Sequence, residues 1–262
     1  MSTADPDLRA LLAVAQEAAW VGGRRTLSYF GTGTAATELK ADQTPVTRAD
    51  REAEGLIRGV IARAFPDHAI LGEEDGETAG SGSASVRWIV DPIDGTRTFV
   101  RGVPLYGTLI GVEVRGDPVV GVVYLPALDE MVAAARGRGC TWNGRPCRVS
   151  SQARLDEALA LVTDERVARA RSGAWDRVAA RTAMQRTWAD CYGYVLVATG
   201  RAELSLDPFM NVWDCAALLP VVEEAGGRFT DWSGRRTIHG GEAIASNGVL
   251  HDQALALLRE PG

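Results

Sequence analysis

One short segment, residues 88–99, limits what this chain can fold into and do more than any other stretch of its sequence. It begins with an apolar run that is typical of a buried strand and then presents two acids, Asp91 and Asp94. Pro92 lies between them; because it fixes φ and lacks an N–H group, we expect the strand ladder to stop and the chain to turn sharply there. Both carboxylates could then reach one centre, where the Ile93 carbonyl would add a neutral oxygen. Converging oxygen ligands of this kind suit hard divalent cations.

The same segment has a simpler interpretation, a solvated turn whose acids bind nothing. Two further carboxylates bear on the choice: Glu73 follows a predicted strand at Ala69–Leu71, and Asp214 lies in the first turn of a predicted helix at Val212–Ala225. Glu73 could equally be solvated, and Asp214 could simply cap its helix, where the dipole favours a negative charge. The residues taken one by one leave these alternatives open.

Charge and composition exclude several classes of function. The chain has 262 residues, of which 46% are hydrophobic and 24% charged, as in an ordinary globular protein. Its net charge of −6 argues against general binding of nucleic acid or of an anionic membrane, because both need a basic face. A phosphorylated substrate is not excluded, since bound cations would reverse the local field.

Motifs missing from the sequence narrow the function further. No apolar run approaches the ~18 residues of a membrane span, and the first ten residues lack the features of a signal peptide. The four cysteines have no zinc-site spacing, so we expect free thiols and a cytoplasmic protein. The chain contains neither a P-loop nor the Gly-x-Ser-x-Gly elbow of serine hydrolases.

The predicted fold is a layered sandwich of helices and sheets, of the α+β or α/β class. We divide the chain into an N-terminal half, residues 1–151, with helices on an antiparallel sheet, and a C-terminal half, 152–262, that completes the site within one compact unit. The main predicted elements are helices at Leu8–Phe30, from the Thr47/Asp50 capping pair to Ala64, at Trp175–Met184 and at His251–Arg259, strands at Thr108–Val114, Val119–Tyr124 and Met131–Ala135, and a surface loop at Glu77–Ser85.

Four motifs in this order resemble the inositol monophosphatase superfamily of Mg²⁺-dependent, lithium-sensitive phosphatases. The resemblance covers nearly the whole chain. The motifs are Val46-Thr47-x-Ala49-Asp50-x-x-x-Glu54, Gly72-Glu73-Glu74, the Asp91–Phe99 segment, and Trp213-Asp214-x-Ala216-Ala217 running on to Glu224-Ala225-Gly226-Gly227.

The resemblance implies a role for each site residue. Thr96, hydrogen-bonded to Asp50, would activate the attacking water, and Glu73 is counted with them as catalytic. The backbone around Gly95 and Thr96 would bind phosphate at the start of a helix. The metal ligands that it implies, for two to three Mg²⁺ ions, are Glu73, Asp91, the Ile93 carbonyl, Asp94 and Asp214.

Three segments resemble the histidinol-phosphatases of this superfamily more than its inositol or fructose bisphosphate enzymes. They are Phe99–Ile110, Arg186–Tyr194 and Ile238–Glu242, and Thr98 stands where inositol phosphatases usually have Asn. The expected substrate is therefore a small phosphomonoester, L-histidinol phosphate.

Substrate choice is assigned to residues outside the metal motifs. Asp207 stands where inositol enzymes place an acid against a sugar hydroxyl and could here pair with the substrate's ammonium group. Arg186 and Asp190 are further candidates. A broad inositol or sugar monophosphatase is the alternative, and a binding protein without turnover is a third hypothesis. A homodimer is implied by the resemblance alone.

Overall fold

Helices and sheets alternate in layers through the computed structural model, which describes residues 6–32, 37–39, 45–81, 86–188 and 190–259 (for 37–39, 45 and 46, the backbone only). The helices found there are α1 (Leu8–Thr26), α2 (Arg48–Ala64), α3 (Thr96–Val100), α4 (Glu165–Arg171), α5 (Ala174–Ala179), α6 (Cys191–Ala198), α7 (Val212–Glu224) and α8 (His251–Arg259). The strands are β1 (Thr37–Leu39), β2 (Pro45–Thr47), β3 (Ala69–Gly72), β4 (Gly76–Thr78), β5 (Val86–Asp94), β6 (Gly107–Val114), β7 (Asp117–Leu125), β8 (Glu130–Ala135), β9 (Cys140–Trp142), β10 (Arg145–Cys147), β11 (Leu159–Leu161), β12 (Met184–Arg186), β13 (Leu204–Asp207), β14 (Arg228–Thr230) and β15 (Ala243–Ser246).

Two mixed sheets carry most of the strands. The larger has eight, in the order β10-β9-β8-β7-β6-β5-β3-β4, with β3 and β5 parallel and the other neighbours antiparallel. The smaller has five, in the order β12-β11-β13-β15-β14, and its β11 runs parallel to β12 and β13. β1 and β2 form a separate antiparallel ribbon.

Alternating side chains of the sheets build separate cores on their two faces. In β6, Ile110 and Val112 pack with α1 and α2, whereas Leu109 packs with α6 and α7. In β15, Ala245 packs in the same core as Leu109, between the two sheets, and Ile244 packs with α4, α5 and α8 on the outer face. The result is an α/β/α/β/α stack, which confirms the predicted layered class.

Helix α7 lies between the two sheets unusually close to the larger one. A Cβ atom at Gly111 would lie 2.6 Å from the Cβ of Ala216, and one at Gly121 would lie 2.1 Å from the carbonyl oxygen of Ala217. Glycine in these two strands therefore permits a close approach that any side chain would prevent. This contact places the first turn of α7 beside the end of β5.

Strand β5 corrects one expectation, because it does not end at Pro92 but runs on to Asp94. Asp91 pairs with Leu109 and Asp94 with Gly107, so three steps along β5 match two along β6. This β-bulge takes the residue without an N–H group out of the ladder, which is how a strand tolerates proline. The two acids still emerge at the same end of β5.

Most of the predicted elements are confirmed. Helix α8 has the predicted bounds, and α2 begins at the predicted Thr47/Asp50 capping box and ends at Ala64. The first helix ends at Thr26 rather than Phe30. The three predicted strands of the first half are present as β6, β7 and β8, each slightly longer than expected.

One predicted helix is wrong in its second part. The helix expected at Trp175–Met184 ends at Ala179, and the chain then forms β12 at the edge of the smaller sheet. The Gln185 side-chain amide donates to the carbonyls of Ala179 and Thr182 and so satisfies groups at the helix end. Pairing with β11 outweighs the helical pattern of this segment.

Four further predictions concern the cysteines, one surface loop, the division into two halves and membrane-spanning helices. The four cysteines are free, as expected. Part of the predicted loop Glu77–Ser85 lies outside the described residues, and its start belongs to β4. The larger sheet ends with Cys147 and the smaller begins with Leu159; the division after residue 151 stays a prediction. In the described part of the chain, every helix is too short or too polar to span a bilayer.

Candidate active site

Three carboxylates meet where β5 ends and α7 begins. Asp91, Asp94 and Asp214 each contribute an oxygen, and these oxygens lie within 4.8 Å of one another. A closely spaced set of carboxylate oxygens is the donor set that Mg²⁺ and Ca²⁺ prefer. The cluster could therefore hold a divalent cation, and its residues fit the predicted metal.

Asp214 caps its helix and also belongs to the cluster. Its Oδ2 accepts a 2.6 Å hydrogen bond from the Asn211 N–H group in a capping box at the start of α7. The helix cap is thus present, and the same carboxylate belongs to the cluster; its role as a metal ligand stays a prediction. The cap restrains the carboxylate that the cluster uses.

Backbone N–H groups also restrain the other two acids. Asp91 Oδ1 accepts from the Ile93 N–H group at 3.0 Å, inside the bulge of β5. Asp94 Oδ2 accepts from the Cys191 N–H group at 2.6 Å, at the start of α6. The contact from Cys191 comes from the distant second half of the chain, and no local pattern in the sequence pointed to it.

Glu73 lies beside the three acids without belonging to the closest set. Its N–H group donates to the Val90 carbonyl at 3.1 Å, so the residue that follows β3 is held against β5. Its side chain lines the same cavity as the cluster. After burial, its negative charge is the next cause of the raised pKa of Asp91.

Burial and mutual repulsion both disfavour negative charge in the cluster. Burial, and then the charges of neighbouring acids, raise the pKa of Asp91 and of Asp94 well above the usual range. Burial also raises the pKa of Asp214 to about 7. Buried like charges are costly unless something neutralises them. A bound cation would do so.

The predicted pair of Thr96 and Asp50 is present. Thr96 Oγ1 lies 3.4 Å from Asp50 Oδ1 and 3.1 Å from the Ile93 carbonyl oxygen, so these two acceptors share one hydroxyl proton. The other oxygen of Asp50 accepts from the N–H and hydroxyl groups of Thr47. Burial raises the pKa of Asp50 to about 6. A carboxylate with a pKa near neutrality is suited to accept a proton.

The three clustered acids, Glu73 and Thr96 line one open cavity of about 160 Å³, whereas Asp50 is fully buried and does not line it. A larger cavity, of about 440 Å³ near Pro6 and Arg136, contains none of the predicted site residues. Sequence reasoning missed three residues that line the site, Arg97, Asn211 and Trp213. The predicted residues that line it are Glu73, Asp91, Ile93, Asp94, Gly95, Thr96, Asp190 and Asp214.

Asp190 is held over the turn that follows β5. Thr98 Oγ1 donates to Asp190 Oδ2 at 2.8 Å. Gly95 lies below with φ at 84°, and a Cβ there would lie 2.6 Å from the same oxygen. Thr98 therefore holds Asp190, one of the residues predicted to bind the substrate.

A smaller cavity of about 90 Å³ shares three acids with the first and extends to Asp207. Asp207 Oδ1 accepts from the Thr163 N–H group at 2.8 Å, and Oδ2 accepts from the Tyr194 hydroxyl at 3.1 Å. Burial raises the pKa of Asp207 to about 7. Phe209 and Met210, which the sequence did not single out, also line this cavity.

Arg186 lies apart from these residues. It is exposed on β12, its Nη1 donates to the carbonyl of Gln185 at 2.7 Å, and it lines neither cavity. Its assignment to the substrate pocket stays a prediction.

Relatives of this chain include histidinol-phosphatases and inositol-1-monophosphatases. The histidinol-phosphatase of Chlorobaculum parvum is 45% identical over 92% of each chain. The histidinol-phosphatase of Mycobacterium tuberculosis is 42% identical over 96% of this chain and 97% of its own. The inositol-1-monophosphatase of Mesorhizobium japonicum is 32% identical, with the same coverage as the Mycobacterium enzyme.

The fold and the sequence point to the same family. The crystal structure of the extragenic suppressor protein suhB from Bartonella henselae superposes with a TM-score of 0.90 at 31% identity, over 97% of this chain and all of that one. Residues 7–261 match the model of the inositol monophosphatase family. The chain therefore belongs to the inositol monophosphatase family.

Proposed function

We propose that this chain is a Mg²⁺-dependent phosphomonoester hydrolase that converts L-histidinol phosphate and water to L-histidinol and phosphate, a step of histidine biosynthesis. The observation that carries the proposal is one cavity in which three clustered carboxylates lie beside Thr96, whose hydroxyl is hydrogen-bonded to the buried Asp50. The names of the relatives with 45% and 42% identity support the choice of substrate.

The metal ligands belong to the elements that end at this cavity. When bound, divalent cations supply positive charge that stabilises the attacking and leaving oxygens in phosphoryl transfer. Uncatalysed hydrolysis of phosphomonoesters is so slow that catalysis must lower the barrier by about 20 kcal/mol. The ligands that we assign, for two to three Mg²⁺ ions, are Glu73, Asp91, the Ile93 carbonyl, Asp94 and Asp214.

Thr96 and Asp50 are assigned to the proton of the attacking water. The water oxygen forms a bond to phosphorus while the ester P–O bond breaks, and the departing alkoxide takes a proton from solvent. The water's proton passes to Thr96 Oγ1, whose own proton moves to Asp50 Oδ1. The raised pKa of Asp50, about 6, makes its carboxylate a stronger proton acceptor than an ordinary aspartate and leaves it mostly ionised at pH 7.

The remaining assignments concern the substrate. The backbone N–H groups of Gly95 and Thr96 are proposed to bind the phosphate, because both residues line the cavity beside the cluster. Asp207, reached through the adjoining cavity, is proposed to pair with the substrate's ammonium group, with Asp190 between the two. Arg186 is the last of the residues that we predict to bind the substrate.

Hydrolysis of inositol 1-phosphate or of a sugar monophosphate is the second candidate, and the relative from Mesorhizobium japonicum favours it. Asp207 would then accept from a hydroxyl group instead of an ammonium group. A phosphate-binding protein without turnover is the remaining hypothesis, and the intact Thr96 and Asp50 pair argues against it.

One comparison tests these three hypotheses together. Phosphate release is measured with Mg²⁺ on histidinol phosphate, inositol 1-phosphate and fructose 1,6-bisphosphate under the same conditions. We expect the highest kcat/KM on histidinol phosphate. A preference for inositol 1-phosphate would support the second candidate, and no release from any substrate would support the binding protein. The homodimer, the lithium sensitivity and the cytoplasmic location stay predictions.

A further inference from the structure

One buried acid, Glu54, is not used by the chemistry proposed above. It lies on α2, about one turn after Asp50, and its side chain is fully buried. A buried carboxylate is costly unless hydrogen bonds satisfy its oxygens. Its partners therefore indicate what it does.

Two partners of Glu54 belong to the backbone directly after Glu73, and the third is Arg58 on the same helix. Glu54 Oε2 accepts from the Glu74 N–H group at 2.9 Å, and Oε1 accepts from the Asp75 N–H group at 3.1 Å. The Nε of Arg58 donates to the same Oε1 at 2.8 Å. Both oxygens of the carboxylate are thus engaged, and two of the three donors are peptide groups of this turn.

Arg58 extends the contact along the turn. Its Nη2 donates to the Gly76 carbonyl at 2.5 Å, and its Nη1 donates to the Thr78 hydroxyl at 3.0 Å. The ion pair of Glu54 and Arg58 therefore binds both N–H and carbonyl groups of the segment that follows Glu73. Such a pair holds a loop in one conformation.

The residue before Glu73 also packs against the carboxylate. A Cβ at Gly72 would lie 2.0 Å from Glu54 Oε1 and 2.7 Å from the Nη2 of Arg58. Glu73 itself is bound through its N–H group to the Val90 carbonyl. The backbone on both sides of Glu73 is thus fixed, on one side by β5 and on the other by α2.

We infer that Glu54 is a positioning residue that sets the direction of Glu73 and, through it, the affinity of the site for Mg²⁺. The inference rests on the proposed function, because it takes Glu73 as a metal ligand. Groups that orient a metal ligand typically change metal affinity by about 10–100-fold when they are removed.

The variant Glu54→Gln tests this inference with little change of shape. An NH₂ group replaces one of the two carboxylate oxygens. This NH₂ group must face either the Glu74 N–H group or the donors of Asp75 and Arg58, so a donor faces a donor. We expect the Kd for Mg²⁺, measured by calorimetry without substrate, to rise about tenfold or more. At low Mg²⁺ concentration we expect the kcat of this variant to be below that of the wild type, and at saturating Mg²⁺ we expect part of this loss to be recovered.

A matched control and a double variant separate positioning from a general loss of stability. Glu52→Gln changes an acid on the same helix that binds Arg25, Arg48 and Tyr29, and it should leave the Kd for Mg²⁺ unchanged. In a Glu73→Gln background, where three clustered acids remain to bind Mg²⁺, Glu54→Gln should have little further effect on the Kd.

Gly72→Ala tests the same contact if Glu54→Gln does not fold. It keeps the charge of Glu54 and displaces the carboxylate by the added methyl group, so it too should raise the Kd for Mg²⁺. Either folded variant with the wild-type Kd would overturn the inference, as would a full effect of Glu54→Gln in the Glu73→Gln background. Wild-type protein that does not bind Mg²⁺ would instead contradict the proposed function itself.

Discussion

The two adjoining cavities both contain buried aspartates, but these aspartates are held differently. In the first, Asp91, Asp94 and Asp214 bring oxygens within 4.8 Å of one another. In the second, Asp207 has both oxygens hydrogen-bonded, to Thr163 and Tyr194. Burial is the first cause of the raised pKa of Asp91, Asp94 and Asp207. Neighbouring acids are the next cause for Asp91 and Asp94, whereas for Asp207 the next contribution is the hydrogen bond from Thr163, which lowers the pKa.

This difference separates two tasks. A cluster of repelling carboxylates needs a cation, whereas a single acid with satisfied oxygens remains in place without one. We therefore assign catalysis to the three-acid cluster and substrate choice to the part of the second cavity around Asp207. Changes to the cluster should affect all substrates alike, and changes to Asp207 should distinguish among them.

Removing the metal should have the largest effect, because the turnover of every substrate depends on the charge that the three-acid cluster holds. We expect a chelator to reduce phosphate release to background with every substrate, and Mg²⁺ to restore it, since the charge that stabilises the transferring phosphoryl group is lost and regained. Full activity in excess EDTA would contradict the proposed mechanism.

Asp94→Asn should have the next largest effect. With Mg²⁺ present we expect kcat to fall about 10²–10³-fold on all substrates, because one charged ligand is lost. Without metal, the variant should melt at a higher temperature than the wild type, since one of the repelling charges is gone. Asp252→Asn, an exposed acid paired with Arg228, is the control and should change neither value. Near-normal turnover of Asp94→Asn would exclude this residue as a metal ligand.

The first cavity was predictable because its residues lie in short motifs. The capping pair of Thr47 and Asp50 follows from a three-residue spacing, and the structure has the same capping box. Asp91 and Asp94 lie close together in any chain that turns or bulges between them. Local geometry thus places Asp91, Asp94 and Thr96 near one another, whereas the approach of Glu73, Asp50, Asp190 and Asp214 depends on the fold.

The second cavity and the supports of the first were harder to predict because they depend on distant contacts. The N–H group of Cys191 meets Asp94 only when α6 packs under the larger sheet. The partners of Glu54 become visible only when α2 lies against the turn after β3. The bulge at Pro92 and the strand β12 likewise depend on neighbouring strands, which outweigh local propensity.

Asp207→Asn should distinguish substrates and leave the metal chemistry intact. We expect kcat/KM on histidinol phosphate to fall about tenfold, near 1.4 kcal/mol, because a neutral amide cannot pair with an ammonium group. On an unsubstituted alkyl phosphate the change should be small. Tyr194→Phe removes a hydrogen bond to Asp207 but keeps the negative charge of Asp207. This variant should therefore retain the preference for histidinol phosphate over the alkyl phosphate. Equal losses on both substrates would remove the proposed ammonium role.

The pH dependence of stability offers the finest distinction between the two cavities. Burial raises the pKa of Asp207 to about 7, above its value in the unfolded chain, so the folded state binds the proton more tightly. The resulting stability is present below about pH 4 and is lost as the pH rises through 7.

Relative to Asp207→Asn, the melting temperature of the wild type should therefore fall between pH 5 and pH 8. One unit of pKa shift corresponds to about 1.4 kcal/mol, and 1 kcal/mol shifts the melting temperature of a chain of this size by about 2–4 °C. Because Asp207 lies outside the cluster, the same fall should appear with and without Mg²⁺. A difference in melting temperature between the wild type and Asp207→Asn that does not vary with pH would contradict the raised pKa of Asp207. A fall seen only in the absence of Mg²⁺ would instead place Asp207 among the groups that the cation neutralises.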